Sequence, residues 1–173
     1  MYHQSNLQFK GKLKQRDDNA TKCIVLHHSE VVSRHSVKDV HTWHKNKGWA
    51  GIGYHYFITK DGEIHTGRPR DTWGAHVHGH NGESVGVCFE SDFNKEDPRA
   101  RQLEASVPLL AILSLAYGNI PIFPHRELTT GKNCPGKRFP FESLWEKVED
   151  CKHYLYAWYG SDFDYGTLLN SQQ

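Results

Sequence analysis

Histidine is the feature of this chain that most suggests chemistry, because 13 of its 173 residues are histidines and many of them lie in clusters. Three segments offer imidazole or thiolate ligands: His27-His28, His125, and Cys134, which lies nine positions after His125. Zinc prefers such ligands, and a catalytic zinc site keeps three protein ligands and one open position. The spacing is compatible with one zinc ion. Taken singly, each residue is more typical of a hydrogen-bonded histidine beside the core or a small buried cysteine.

Strands are expected immediately before both histidine segments, and a strand end would give a ligand a rigid base. Compact apolar runs and the Asp-Gly turn signal predict these strands. They are Lys22–His28, Gly53–Ile58, Glu63–His65 after the turn at Asp61-Gly62, Ser84–Phe89 and Ile120–Phe123.

Three helices are expected between and after these strands. Ser36 is a candidate N-cap for a helix with Val37, Val40 and Trp43 on one face, which Gly48 would end. Asp97-Pro98 predicts the start of a long helix through Leu103–Tyr117, which Pro108 should kink or split. The apolar positions of a final helix are Phe141, Leu144, Trp145, Val148 and Leu155.

Strands that alternate with helices predict a single-domain α/β fold, with a mixed central β-sheet flanked by helices. We expect a polar N-terminal arm at residues 1–20, the domain itself at residues 21–160 and a C-terminal tail at residues 161–173. Residues 67–83 are rich in Gly, His, Arg and Asn and lack periodicity, which indicates a long loop.

Charge and hydropathy exclude several classes of protein. The formal net charge of +1 argues against a general nucleic-acid binder. The polar first residues do not resemble a signal peptide, and the chain has no apolar run long enough for stable membrane insertion. We therefore expect synthesis in a reducing cytoplasm, where four free thiols are favoured over disulfides. The cysteines are Cys23, Cys88, Cys134 and Cys151.

An ordered series of short motifs, over about residues 22–150, resembles the zinc amidase family of phage lysozyme-type amidases (endolysins), bacterial wall amidases and animal peptidoglycan recognition proteins. Trp43–Trp49 and Lys132–Cys134 most resemble the phage members. The motifs are Ile24–Ser29, Trp43–Lys45, Gly48-Trp49, Gly53–Tyr56, Asp61-Gly62, Gly67-Arg68, Asn81, Ser84–Val87, His125–Glu127 and Lys132–Gly136.

The resemblance implies hydrolysis of the amide bond between N-acetylmuramic acid and L-alanine in peptidoglycan. It implies that one Zn²⁺ is bound by His27, His125 and Cys134, and that Tyr54 and Lys132 are the catalytic side chains. Inactive animal relatives commonly lack the cysteine ligand, so the presence of Cys134 favours an enzyme. His28 is expected to orient the neighbouring ligands.

The two catalytic candidates have different expected roles. Tyr54, at the start of a predicted strand, could orient water or pass a proton to the leaving amine, and Lys132 could stabilise the oxyanion. Which of them is the proton donor stays open. By pattern alone, Tyr54 is more typical of strand packing and Lys132 of a solvated side chain.

A glycan with a stem peptide needs an open groove, and several loop side chains suit one. Aromatic faces fit sugar rings, and arginine fits a carboxylate. The alternation of His76, His78 and His80 is also typical of a solvated loop, with one of the three facing the groove. The candidates for substrate binding are Trp49, Arg68, Trp73, His76 and Asn81.

The sequence also bears on three other functions. A non-catalytic peptidoglycan-binding module would require a defective zinc site, yet all five implied site residues are present. A second role as a protein inhibitor of a polymerase, known for some phage relatives, is not tested by the sequence. A zinc nucleobase deaminase is excluded because its His-x-Glu and Pro-Cys-x-x-Cys motifs are missing. We expect a monomer that acts on the wall after release, or on wall fragments.

Overall fold

The computed structural model describes residues 1–17 and 19–170, and it is built around a six-stranded mixed sheet. The strand order is β1-β4-β3-β5-β2-β6, and every neighbouring pair is parallel except the β3–β4 hairpin. The strands are β1 (Tyr2–His3), β2 (Cys23–His28), β3 (Tyr56–Ile58), β4 (Ile64–Thr66), β5 (Ser84–Phe89) and β6 (Ile122–Pro124).

Five helices within these described ranges complete the fold. They are α1 (Val37–Asn46), α2 (Ala100–Ala116), α3 (His125–Leu128), α4 (Phe141–Tyr159) and α5 (Gly166–Asn170). As expected, Ser36 caps α1: its hydroxyl accepts from the Asp39 amide, and the Asp39 carboxylate accepts from the Ser36 amide. No helix among the described residues is long and apolar enough to cross a membrane.

Alternate residues of the strands serve opposite faces of the sheet. Tyr56 and Ile58 join the main core with α2 and α4, whereas Phe57 packs with Val37 and Val40 of α1 on the other face. The mixed sheet flanked by helices is therefore confirmed, and α1 occupies the face opposite to α2 and α4.

Some element boundaries differ from the expectation. The third strand begins at Tyr56, not Gly53, because the preceding segment bonds elsewhere: the Gly53 amide donates to His44 and its carbonyl accepts from Ala75. Helix α2 begins at Ala100, after Arg99 in extended conformation, and runs as one helix through Pro108. Of the kink or split expected at the proline, the split is therefore wrong.

The described parts of both terminal segments pack on the domain, and residues 171–173 of the expected tail lie outside the described residues. In the N-terminal arm, β1 adds a strand to the sheet edge, and the buried Arg16 donates to Thr21 and to the carbonyls of Thr72 and Ser84. In the C-terminal tail, Leu169 of α5 lies in the main core.

Candidate metal centre and active-site cleft

The sheet brings two of the candidate ligands together. Strands β2 and β6 are parallel neighbours, and Leu26 is paired with Pro124. The residues that follow this pair along the chain therefore lie at the same edge of the sheet. Those residues are His27 and His125, and their ring centroids are 4.6 Å apart.

Backbone contacts return Cys134 to the same edge. The Arg126 amide donates to the Cys134 carbonyl at 2.8 Å, which joins the loop to α3. Gly136 has a φ of +111°, and a Cβ there would lie 2.5 Å from the Phe93 backbone, so only glycine allows this close approach. The loop is thus held against both the ligand-bearing helix and the segment after β5.

The three candidate ligands form one cluster. One ligand atom from each of His27, His125 and Cys134 lies within 4.8 Å of the others, and Cys134 Sγ is 3.6 Å from His27 Nδ1. Burial lowers the pKa of both His27 and His125, so their imidazoles are neutral and their lone pairs are free for a metal. Burial raises the pKa of Cys134 to about 12, and a bound metal ion would oppose this by favouring the thiolate.

His76 contacts His27 and, as expected for a groove residue, also lines the cleft. Its Nδ1 is 3.0 Å from His27 Nε2, and its ring occupies space left by two glycines. A Cβ on Gly74 or Gly86 would approach the ring to 2.3 Å or 2.7 Å, respectively. The side chain is therefore packed closely against both glycines, only partly exposed, and in contact with a candidate ligand.

Tyr54 lies beside His27, with ring centroids 5.1 Å apart. Two histidines of α1 fix the segment before it: His41 Nδ1 accepts from the Ile52 amide and His44 Nδ1 from the Gly53 amide. Burial raises the pKa of Tyr54 well above its ordinary value, so the phenol keeps its proton at neutral pH.

Lys132 lines the same cleft, and its charge contributes, after burial, to the lowered pKa of His125. The cleft has a volume of about 460 Å³. Its other lining residues are His27, His28, Ser29, Glu30, Val31, Val40, Trp43, His44, Lys47, Trp49, Tyr54, His76, His125 and Cys134. A basic ammonium group and a phenol therefore face the candidate metal ligands across one open cleft.

Of the five expected substrate-binding residues, Trp49 and His76 line the cleft and three lie outside it. Arg68 is buried, because its guanidinium donates to the carbonyls of Ile52 and Trp73. The side chain of Trp73 stacks under the Lys14 ammonium. Asn81 Oδ1 accepts from the amides of His76 and Val77 and so shapes the loop.

His28 is buried next to the candidate ligands. Its Nδ1 accepts from the Phe93 amide at 3.0 Å, and its own backbone amide donates to the Cys134 sulfur. His28 thus joins β2 both to the segment after β5 and to the cysteine loop.

Sequence reasoning missed the buried histidines that support the site. His41 and His44 lie three residues apart on α1 among its apolar positions, which was the available signal. His55 is also buried: its Nδ1 accepts from the Gly86 amide and its Nε2 donates to the Thr72 carbonyl. These contacts hold the strand and loop segments around Tyr54 and His76.

Comparisons with known proteins agree with this geometry. Residues 17–137 match the family model described as N-acetylmuramoyl-L-alanine amidase. The endolysin of Escherichia phage T7 is 32% identical over 145 residues, which cover 80% of this chain and 93% of that protein. Peptidoglycan-recognition protein LB of Drosophila melanogaster is 28% identical over 77% of this chain and 60% of its own.

A solved amidase structure is also similar to this chain over most of its length. N-acetylmuramoyl-L-alanine amidase LysC from Clostridium intestinale superposes with a TM-score of 0.79 at 31% identity, covering 86% of this chain and 97% of that one. Because the family model spans well over half of the sequence, and a phage endolysin and an amidase structure match most of it, this chain belongs to the N-acetylmuramoyl-L-alanine amidase family.

Proposed function

We propose that this amidase cleaves the bond between N-acetylmuramic acid and L-alanine at a single zinc ion bound by His27, His125 and Cys134. The observation that carries the proposal is the convergence of these three donor groups at one end of the cleft, within 4.8 Å of one another. The enzyme class itself follows from family membership.

The donor set fits zinc. Two neutral imidazoles and one thiolate are zinc ligands and leave one coordination position open. The neighbours of His27 support its role, since Nε2 faces His76 at 3.0 Å and Nδ1 faces the sulfur of Cys134. A zinc ion bound there would supply Lewis acidity, which acidifies water and polarises an amide carbonyl.

We assign Tyr54 the task of orienting the attacking water or donating a proton to the leaving amine. The phenol lies next to His27 and keeps its proton because burial raises its pKa. A protonated phenol can donate a hydrogen bond while its oxygen accepts another. The contacts of His41 and His44 with the preceding backbone would keep it in place.

We assign Lys132 the stabilisation of the negative charge that develops on the carbonyl oxygen. Its ammonium faces the cleft, two residues before Cys134 in a loop held to α3. A preorganised cation acts most strongly where charge develops in the transition state. Trp49 and Trp43, which are exposed at the cleft, would contact the sugar or the peptide.

We further propose that the enzyme works as a monomer on peptidoglycan of the cell wall after release, or on its fragments. All the proposed ligands and catalytic side chains come from one chain and line one cleft. Endolysins among the relatives support the wall as the substrate.

Digestion of purified peptidoglycan tests the proposal. We expect new alanine amino termini without new sugar reducing ends, loss of the reaction after chelation, and recovery with zinc. Cys134→Ala should abolish it. Cys151→Ala, which removes a half-buried thiol of α4 outside the cleft, serves as the matched control and should stay active. Binding without cleavage by the zinc-loaded protein would instead identify a recognition module.

A further inference from the structure

A second group of side chains that could bind a metal ion lies at the β1 edge of the sheet. His3 of β1 is the register partner of His65 of β4, and Glu63 precedes His65 by two residues. The imidazole rings of the two histidines are stacked, with centroids 4.7 Å apart and planes inclined by 16°. One potential ligand atom from each of the three residues lies within 4.8 Å of the others. None of the three lines the active-site cleft.

The distances in this group suit a shared ion better than direct hydrogen bonds. Glu63 Oε1 is 3.6 Å from His3 Nε2, and Glu63 Oε2 is 3.6 Å from His65 Nε2. Two donors about 2.1 Å from one tetrahedral metal ion are about 3.4 Å apart, close to both separations. His3 Nε2 is buried and lacks a hydrogen-bond partner among the described residues. The group therefore contains a nitrogen whose lone pair or proton is unsatisfied.

The chemistry of the donors narrows the choice of ion. Imidazole nitrogens suit zinc, nickel and copper, whereas magnesium and calcium prefer all-oxygen sites. Burial, and then the neighbouring His3, lower the pKa of His65, which keeps its imidazole neutral and available as a ligand. The side chains of His3, Glu63 and His65 are 35%, 48% and 21% exposed, so an ion can reach them from solvent.

We propose that His3, Glu63 and His65 form a second site for a divalent transition-metal ion, such as Zn²⁺, that fastens the N-terminal strand to the sheet. Strand β1 contributes only two residues to its pairing with β4, together with a bond from the Ile64 amide to the Met1 carbonyl. An ion that links His3 to two side chains of the β4 segment would add a cross-link at the sheet edge whose strand pairing is shortest. The site is structural and does not depend on the amidase mechanism.

Zinc titration of the untagged full chain, already loaded with one zinc equivalent, tests this site. We expect calorimetry to show a second equivalent, and hydrogen exchange of residues 1–9 to slow when it binds. His65→Ala and Glu63→Gln should each remove the second equivalent. Cys134→Ala should weaken the first and keep the second, which separates the two sites experimentally.

His80→Ala is the matched control. His80 also pairs with a glutamate, Glu83, at 2.8 Å, but within the part of the chain that the structure describes it belongs to no cluster of three potential metal ligands. It should retain both equivalents. A wild-type protein that binds only one zinc, or a second equivalent that persists in both His65→Ala and Glu63→Gln, would overturn the proposal. Binding that leaves the exchange of residues 1–9 unchanged would refute the cross-link.

Discussion

The Nε2 atom of His27 lies 3.0 Å from the Nδ1 atom of His76, and this contact decides which nitrogen of His27 can bind a metal ion. One of the two nitrogens must carry the proton that they share. If His27 Nε2 donates, its Nδ1 lone pair faces Cys134 Sγ, 3.6 Å away. Outer hydrogen-bond partners of metal-binding histidines fix the tautomer in this way. His76 is thus a positioning residue for the proposed zinc site.

Replacing His76 should weaken zinc binding without removing a ligand. We expect His76→Ala to lower zinc affinity and amidase activity by about 10–100-fold, because His27 loses the acceptor that fixes its tautomer. Chelator competition measures the affinity. His76→Gln, whose amide oxygen can accept the same proton, should recover part of the loss. His78→Ala, an exposed change in the same loop, should match the wild type. An unchanged zinc affinity in His76→Ala would refute the role.

Gly86 should be required only because His76 fills the space beside it. A Cβ at this position would lie 2.7 Å from the imidazole, so Gly86→Ala should destabilise the protein by about 1–3 kcal/mol. The loss of stability caused by Gly86→Ala should be smaller when His76→Ala is present in the same chain. The reason is that the three atoms nearest to the added Cβ all belong to the His76 imidazole. Chemical denaturation of the double-mutant cycle measures this coupling, and additive effects would argue against it.

Removal of the Tyr54 hydroxyl should affect catalysis and not metal binding. We expect Tyr54→Phe to reduce kcat by about 10²–10⁴-fold, the range typical of general acid–base groups. Zinc content should stay at the wild-type level, because the phenol is not one of the three clustered ligands. Near-wild-type kcat in this variant would assign the proton transfer elsewhere and leave Tyr54 with a packing role.

Removal of the Lys132 charge should also lower kcat. Lys132→Met keeps most of the side-chain volume, and we expect a loss of about 10²–10³-fold if the ammonium stabilises the oxyanion. Lys132→Arg should retain more activity than Lys132→Met. Lys137→Met, an exposed change in the same loop outside the cleft lining, is the control. If both methionine variants lose activity equally, the effect comes from the loop and not from the charge.

The buried His55 should make the fold sensitive to acid. Burial, with a contribution from Arg16, lowers its pKa to about 3 from 6.5. Between these values the unfolded chain binds a proton that the folded chain does not, so stability is full above about pH 6.5 and falls as pH drops towards 3.

The His55→Gln variant tests whether His55 causes this fall in stability at low pH. The amide can accept from Gly86 and donate to Thr72 but does not titrate. Urea denaturation at several pH values and constant zinc should show a slope smaller by about one proton, or about 1.4 kcal/mol per pH unit, inside the window. Equal slopes for the two proteins would mean that other groups account for the acid sensitivity.

The sequence allowed prediction of those parts of the fold that depend on local patterns. The apolar run before His27, the Asp61-Gly62 turn and the Ser36 cap all determine their elements within a few residues, and all three agree with the structure. The ligand set was implied by resemblance, and the structure then showed the three side chains together.

The errors arose where distant backbone determines a side chain's environment. Arg68 was expected at the substrate, but the carbonyls of Ile52 and Trp73 draw its guanidinium inward. His76 was expected in the groove and does line the cleft, but its contact with His27 was not expected, and its ring occupies space left by Gly86, ten residues away in a strand. No local periodicity encodes such contacts, so a sequence pattern alone cannot place these side chains.

His27 and Cys134 are 107 positions apart in the sequence, and this separation determines when the proposed metal site can form during synthesis. A ribosome must release the chain past Cys134 before the cysteine can meet the end of β2, and contacts of such long sequence separation form slowly. A nascent or prematurely terminated chain therefore lacks a complete ligand set, however well its first strands have folded. The proposed site can form only after synthesis has passed Cys134, so the topology itself delays the activity of a potentially harmful enzyme.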